Sequence, residues 1–225
     1  MIVVLGGTGL LGIELNKLDK DLCCSGREID ITNYSKLQEY LDSKKPTVIV
    51  NAAAVTDSTE VLKDPVPAID VNIVGAANVA KYCSINKIRL VYISTDYVYT
   101  GTGNHRETDP LLPNNSYAWT KLGGECSSRL VTDYCIIRTS FGSTKFPYPG
   151  AYVNLFSSKE YVDVIAPKIL SIVKSQQKGV INVGGSRKSL YLYAKERNEV
   201  KQIKLSSTKD FSLNTEIYDN GFRTE

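Results

Sequence analysis

Short apolar runs alternate along the chain with longer segments of helical period. Residues 2–5, 22–25, 47–50, 90–94 and 134–137 are rich in Val, Ile, Leu and Tyr. They are apolar at successive positions rather than at every second one, which predicts strands covered on both faces, as in a parallel sheet. Residues 10–18, 35–43, 68–86 and 117–130 read as the helices between them. This alternation predicts an α/β fold, a Rossmann-type doubly wound parallel sheet with right-handed crossovers. The pattern repeats once more, with a helix over 162–175, a strand over 180–183 and a helix over 190–197. A Gly-, Pro-, Tyr- and Ser-containing stretch over 141–158 marks a boundary. It divides a dinucleotide-binding sheet domain (1–140) from a small, shortened C-terminal substrate lobe (141–225). Beyond Lys204 the chain is polar and poorly periodic, and partial disorder is expected there.

The composition fits this picture. With 225 residues, 42% hydrophobic and 23% charged, the chain can bury a core without disulfides or metals. The net charge of +3 is spread along the sequence, which argues against a nucleic-acid patch. The five cysteines (Cys23, Cys24, Cys83, Cys126, Cys135) are odd in number and form no C-x-x-C, so reduced thiols are expected rather than a metal site or a disulfide framework. Met1 runs straight into the first strand, with no leader pattern before it. No apolar run approaches the ~20 residues of a membrane span. A soluble, cytoplasmic protein with no membrane partner is expected.

Two motifs carry chemistry. Gly6-Gly7-Thr8-Gly9-Leu10-Leu11-Gly12 follows the first strand and opens the first helix. In that context glycines allow a tight turn and let backbone N–H groups approach a pyrophosphate at the positive end of the helix. Arg27 and Glu28 stand side by side after the second strand. An acidic residue there suits the ribose hydroxyls of NAD, an Arg the 2′-phosphate of NADP. Arg27 comes first, so NADP(H) is favoured, with NAD(H) as the alternative. Asp30, beside Ile31, is placed either to accept from an adenine amino group or to cap the next helix. Ala52, Ala53 and Ala54 end the third strand with little bulk.

The second motif is Tyr117-x-x-x-Lys121, which shares one helix face at i, i+4 spacing. A neighbouring ammonium lowers a phenol's pKa, which suits a proton donor to a carbonyl receiving hydride. Thr95, at the end of the fourth strand, can polarise that carbonyl. Asn72, in the helix over 68–86, either supports the lysine through water or is a mid-helix polar residue. His105, the one histidine, lies in a Gly/Asn-rich loop and reads as solvated.

On these residues the chain resembles the extended short-chain dehydrogenase/reductases, and within them the dTDP-4-dehydrorhamnose reductase group. The resemblance rests on Gly6 to Gly12, Val50-Asn51-Ala52-Ala53-Ala54, and Ser94-Thr95-Asp96-Tyr97-Val98-Tyr99. It continues through Gly101-Thr102-Gly103, Glu107-Thr108-Asp109-Pro110, Ser116-Tyr117, Lys121-Leu122-Gly123-Gly124-Glu125 and Ile137-Arg138-Thr139-Ser140. It implies an NADPH-dependent reductase of the 4-keto group of a nucleotide-linked deoxysugar, in polysaccharide (dTDP-rhamnose) biosynthesis. Thr95, Tyr117 and Lys121 would be catalytic, and Thr95, Asp96 and Tyr97 would shape the sugar pocket. Gly6, Thr8, Gly9, Leu10, Leu11, Gly12, Arg27, Asp30, Ile31, Ala52, Ala53, Ala54, Thr56 and Asn72, with Tyr117 and Lys121, would line the cofactor site. Proteins of this fold often pair through helices of the sheet domain, so a homodimer is compatible, although no residue compels it.

After Arg138 only 87 residues follow (225 minus 138), fewer than such reductases commonly carry, so a trimmed lobe is expected. Tyr97 stands where the 4,6-dehydratases have a second acid, which disfavours elimination. A 4-epimerase, a non-catalytic NADP-binding regulatory subunit and a reductase of a free carbonyl compound are the alternatives.

Overall fold

The computed structural model describes residues 1–100 and 103–221; Gly101 and Thr102, part of the run that carries the resemblance, lie outside the described residues. The first half alternates strand and helix in the expected order. It runs through β1 (Ile2–Leu5), α1 (Leu10–Leu18), β2 (Cys23–Ser25), α2 (Tyr34–Lys44) and β3 (Val48–Asn51). Next come α3 (Ser58–Lys63) and α4 (Val66–Ala68), the latter running through π-helical turns (Ile69–Gly75) into α5 (Ala76–Asn86). After β4 (Arg89–Thr95) there is one 3₁₀ turn (Asp96–Val98), then α6 (Ser116–Ser128) and β5 (Tyr134–Thr139).

The later half is finer grained. Short strands β6 (Phe141–Gly142), β7 (Gly150–Tyr152), β8 (Leu155–Ser157) and β9 (Glu160–Tyr161) precede α7 (Val162–Lys174) and β10 (Gly179–Val183). Then follow β11 (Lys188–Ser189), α8 (Leu190–Lys195), β12 (Lys201–Ile203), β13 (Lys209–Phe211) and α9 (Glu216–Asp219).

Six strands form one parallel sheet in the order β10-β5-β4-β3-β1-β2. Successive residues of a strand point to opposite faces, and here both faces are covered. Val4 and Val50 pack with Leu11, Leu15, Ile165 and Ile169 of α1 and α7. Val3, Leu5 and Ile49 pack on the other face with Leu37, Leu41 and Val79 of α2 and α5. This is why the strands read as continuous apolar runs. Because the order steps outward both ways from β1 and β3, the carboxyl ends of β1, β3 and β4 face a common crevice, where ligands bind in such sheets.

The residues after Thr139 serve two structures. α7 and β10 complete the large sheet and its cover. The remaining strands build a β11-β8-β13 sheet and two paired ribbons, β12-β7 and β6-β9, around Phe146, Ala151, Tyr161, Tyr193 and Ala194.

Two expectations are corrected here. The tail beyond Lys204 is not loose at residues 209–213: β13 pairs in parallel with β8, and Asp210, Phe211, Ser212 and Leu213 are buried. His105 is not solvated. It is 6% exposed, stacked on Tyr99 at 4.8 Å between ring centroids, and paired to the chain at Leu213. Both stretches are polar in sequence, yet they cover each other.

Among the described residues no helix is long and apolar enough to cross a membrane, and no group of three or more His, Cys, Asp or Glu is placed to hold a metal ion. The five cysteines are unpaired.

Candidate active site

The glycine loop is shaped by sterics. Gly6 sits at φ +84°, and a Cβ there would lie 2.6 Å from the Ala53 nitrogen, so β3's exit presses on the loop. A Cβ on Gly12 would run into the Gly7 backbone, so only glycine lets α1 start this close to the turn. Gly9 is the N-cap residue of α1 and gives no side-chain cap. The first N–H groups of α1, at Leu10, Leu11 and Gly12, therefore have no intrahelical or capping partner. They sit at the wall of a cavity of about 350 Å³, which Gly6, Gly9, Leu10, Leu11 and Gly12 line.

The same cavity is lined by Thr95, Tyr117 and Lys121. Each is positioned by a local device. The Asn115 side chain accepts from the Ala118 N–H at 2.8 Å, which starts α6 so that Tyr117 lies in its first turn and Lys121 one turn on. Thr95 ends β4, and its hydroxyl accepts from the Tyr97 N–H at 3.3 Å, nucleating the 3₁₀ turn. The Thr95 hydroxyl in turn donates to Asp96 Oδ1 at 3.2 Å.

Glu125, two turns into α6, is fixed from below. Arg138 donates to both of its oxygens (Nε 3.1 Å, Nη2 2.8 Å) and the Ser94 hydroxyl donates to Oε1 at 2.5 Å. Arg138 and Glu125 are both 0% exposed. The Arg138 guanidinium also donates to the Tyr99 hydroxyl and the Glu107 carbonyl. One buried network thus ties β4, α6, β5 and the loop after β4.

Charge behaves differently from the simple expectation of an ammonium lowering a phenol. Burial pushes the Lys121 ammonium down to about 7, with Glu125 opposing. Its Nζ lies 4.2 Å from the centroid of the Tyr92 ring. Burial, then the neighbouring Asp96 and Tyr97, push Tyr117 well above the usual phenol value, with Thr95 opposing. Both groups lie where water is scarce, so desolvation favours the neutral form of each. Tyr117 therefore stays protonated near neutral pH. Asp96, 0% exposed, is raised to about 7 by burial, against Lys159, Thr95 and Ser140.

The other expected cofactor residues, with Asp96 of the expected sugar pocket, divide into two groups. Ala52, Ala54 and Thr56 line the cavity. Ala53, Thr8, Arg27, Asp30, Ile31, Asn72 and Asp96 do not. Ala53 backs Gly6, and Thr8 backs Gly26 at the end of β2. Arg27 is exposed and makes no hydrogen bond or ion pair with the described residues. Asp30 holds the Thr32 N–H and hydroxyl at 2.9 and 2.7 Å, while Asn33 caps α2. Ile31 is buried among Leu37, Val79 and their neighbours.

Asn72 is committed elsewhere. Its amide donates to the Val55 carbonyl and the Thr120 hydroxyl and accepts from the Val55 N–H, at 2.8–2.9 Å. It lies in the π-helical turns, which frequently mark functional sites, and braces α6 next to Lys121.

The pattern reading missed the far wall of the cavity. Thr139, Ser140, Phe141 and Lys159 line it, and the Thr139 hydroxyl is buried without a partner. Thr139 ends β5 and Ser140 follows it at the crevice, a positional signal that was available. Lys159 had none.

A family model described as the RmlD substrate binding domain matches residues 1–171. Among curated proteins, the chain is similar to a dTDP-4-keto-6-deoxy-D-glucose reductase of Streptomyces niveus, 34% identical over 174 residues (72% of this chain, 60% of the relative). It is also similar to a dTDP-4-dehydrorhamnose reductase of Aggregatibacter actinomycetemcomitans, 31% identical over 179 residues (75% and 61%). The chain thus spans about three-fifths of the length of these relatives. Among solved structures, a hypothetical dTDP-4-dehydrorhamnose reductase from Sulfolobus tokodaii superposes with TM-score 0.84 at 26% identity, over 100% of this chain and 95% of that one. A Bacillus anthracis dTDP-4-dehydrorhamnose reductase in complex with NADP superposes with TM-score 0.85 at 24% identity, over 99% and 92%, a likeness of fold.

Proposed function

Since the chain belongs to the RmlD substrate binding domain family, we propose that it is an NADPH-dependent oxidoreductase of the Tyr-Lys type that reduces the 4-keto group of a nucleotide-linked deoxysugar. The observation that carries this reading is a single cavity walled both by the open N–H groups of the glycine loop and by Thr95, Tyr117 and Lys121. The curated relatives' names point to the same chemistry.

The residues present fit a dinucleotide. The loop leaves backbone donors exposed where only glycine can sit, and α1 adds its positive end. Arg27, with no competing partner, would take a 2′-phosphate. The bound nicotinamide would supply the hydride. The protein's own part is to polarise the carbonyl and deliver a proton to its oxygen. The Thr95 hydroxyl, which donates to Asp96 Oδ1 at 3.2 Å without substrate, would turn its hydrogen to that oxygen. Tyr117, kept protonated by its buried setting, gives up its proton as the oxygen gains charge. Lys121, one turn away, holds the ribose and stabilises the phenolate that forms. In this division of labour residues 1–140, joined by α7 and β10, hold the cofactor. The small strands and α8, from the stretch 141–225, close the substrate side.

The test is NADPH oxidation by the purified protein with and without an enzymatically prepared dTDP-4-keto-6-deoxy sugar. Substrate-dependent oxidation is expected. Tyr117→Phe should retain the fold and NADPH binding and lose about 10²–10⁴-fold in turnover. Turnover near wild type in that variant would remove the catalytic assignment. NADPH binding without oxidation would point to a binding subunit instead.

A further inference from the structure

A second cavity, of about 370 Å³, adjoins the first. Thr56, Tyr97 and Lys159 line both. The first cavity holds the reactive groups. The second is walled by Phe146, Tyr148 and Phe211, with the start of α3 at one side. The Tyr97 and Phe211 rings meet edge to face at 5.2 Å, and Phe146 and Tyr148 do so at 5.5 Å. Such rings offer flat faces for a planar base.

Lys159 stands where the two spaces join. Its ammonium donates to the Phe141 carbonyl at 3.1 Å and has three donors in all, so two are uncommitted. Burial pushes its pKa down and Asp96 opposes that, but no carboxylate lies within 4 Å of its Nζ among the described residues. Asp57, the other charged residue lining the second cavity, caps α3 through Oδ1, which accepts from the Thr59 and Glu60 N–H groups. A cation in a poorly hydrated position is stabilised most by an anion that hydrogen-bonds to it directly.

On this placement we infer that Lys159 anchors a phosphoryl group of the substrate. It holds the diphosphate at the junction, with the sugar toward Tyr117 and the base against the aromatic wall. The inference rests on the nucleotide-sugar reading above. It adds a specificity-determining residue, contributed by the lobe, that the glycine loop cannot replace, because the loop lines the first cavity only. The phosphoryl group is assigned to the substrate, and the probes below separate it from the cofactor's.

Calorimetric titration tests it, with thymidine diphosphate, thymidine and NADPH as probes on the full chain. Wild type should bind thymidine diphosphate. Lys159→Gln should weaken that binding about ten-fold or more, leave thymidine and NADPH unchanged, and be largely rescued by Lys159→Arg. Lys159→Met is the second variant should the Gln form not fold; unchanged NADPH binding reports an intact sheet domain. Equal diphosphate affinity in wild type and Lys159→Gln would overturn the inference. So would no diphosphate binding by wild type, a parallel loss of thymidine (a structural role), or a loss confined to NADPH (a cofactor role). None of these readouts uses turnover. A failure of the reductase reading, seen as absent NADPH oxidation, is therefore separate from a failure of Lys159.

Discussion

Lys121→Met should make the protein more stable and inactive. Lys121 is 2% exposed, and its pKa lies near 7 in place of 10.5. The folded value is below the unfolded one, so between roughly pH 7 and 10.5 the unfolded chain binds more protons than the native one. This group therefore costs stability in full at and below pH 7, and the cost fades as pH rises toward 10.5. The gap of about 3.5 pH units (10.5 minus 7), at about 1.4 kcal/mol each, sets an upper bound of about 5 kcal/mol. Relaxation and water penetration reduce such penalties, and methionine keeps most of the side-chain volume. Roughly 2–3 kcal/mol of stabilisation is expected at pH 6, shrinking by up to about 1.4 kcal/mol per pH unit between pH 7 and 10. Urea unfolding of both proteins without ligand at pH 6, 7.5 and 9 gives the difference directly, with turnover measured in parallel. A variant no more stable than wild type at pH 6, or a difference that does not change with pH, would refute the assignment of a strained, buried ammonium.

Two further outcomes follow from the same geometry. If the proposed role of Arg27 holds, Arg27→Ala should weaken NADPH binding much more than NADH binding; equal losses in a fluorescence titration would take that role from Arg27. Glu125→Gln should destabilise by about 3–5 kcal/mol, since it leaves the 0% exposed Arg138 charge unpaired; a loss under about 1 kcal/mol in urea would show that the Arg138 network is not what fixes α6.

The large sheet was legible because two-sided burial forces continuous apolar runs, which Ile2–Leu5 and Val48–Asn51 display. The helices between them declared themselves by period. The small lobe was opaque. Its strands are two or three residues long, too short to show alternation, and their partners lie far along the chain. The π-helical turns over Ile69–Gly75 were read as ordinary helix, because apolar spacing does not register one extra residue per turn. The site divided the same way. Gly6, Gly9, Thr95, Tyr117 and Lys121, which line one cavity, were readable as candidates because the glycines and Thr95 follow or end strands and the Tyr-Lys pair has helical spacing. Lys159 was not, since one lysine in a polar loop carries no periodic signal. The expected lowering of the Tyr117 pKa also could not be judged from spacing, because desolvation depends on everything packed around the pair.

The loop after β4 is closed from far down the chain. The Asn104 N–H donates to the Ser212 hydroxyl across 108 residues, and His105 lies beside Leu213. The glycine loop, by contrast, is pressed by the ends of β2 and β3, although the helix it opens still awaits its α7 cover. A ribosome adding about 5–20 residues per second needs roughly 5–20 s to span that interval. Throughout it, Val98 and Tyr99 lack the Leu213 cover they share in the finished molecule. The emerging chain can therefore shape its dinucleotide cradle well before it can close the wall beside it. Assembly has a built-in order, in which the turns around Gly6 to Gly12 can form early and the loop after β4 is sealed last.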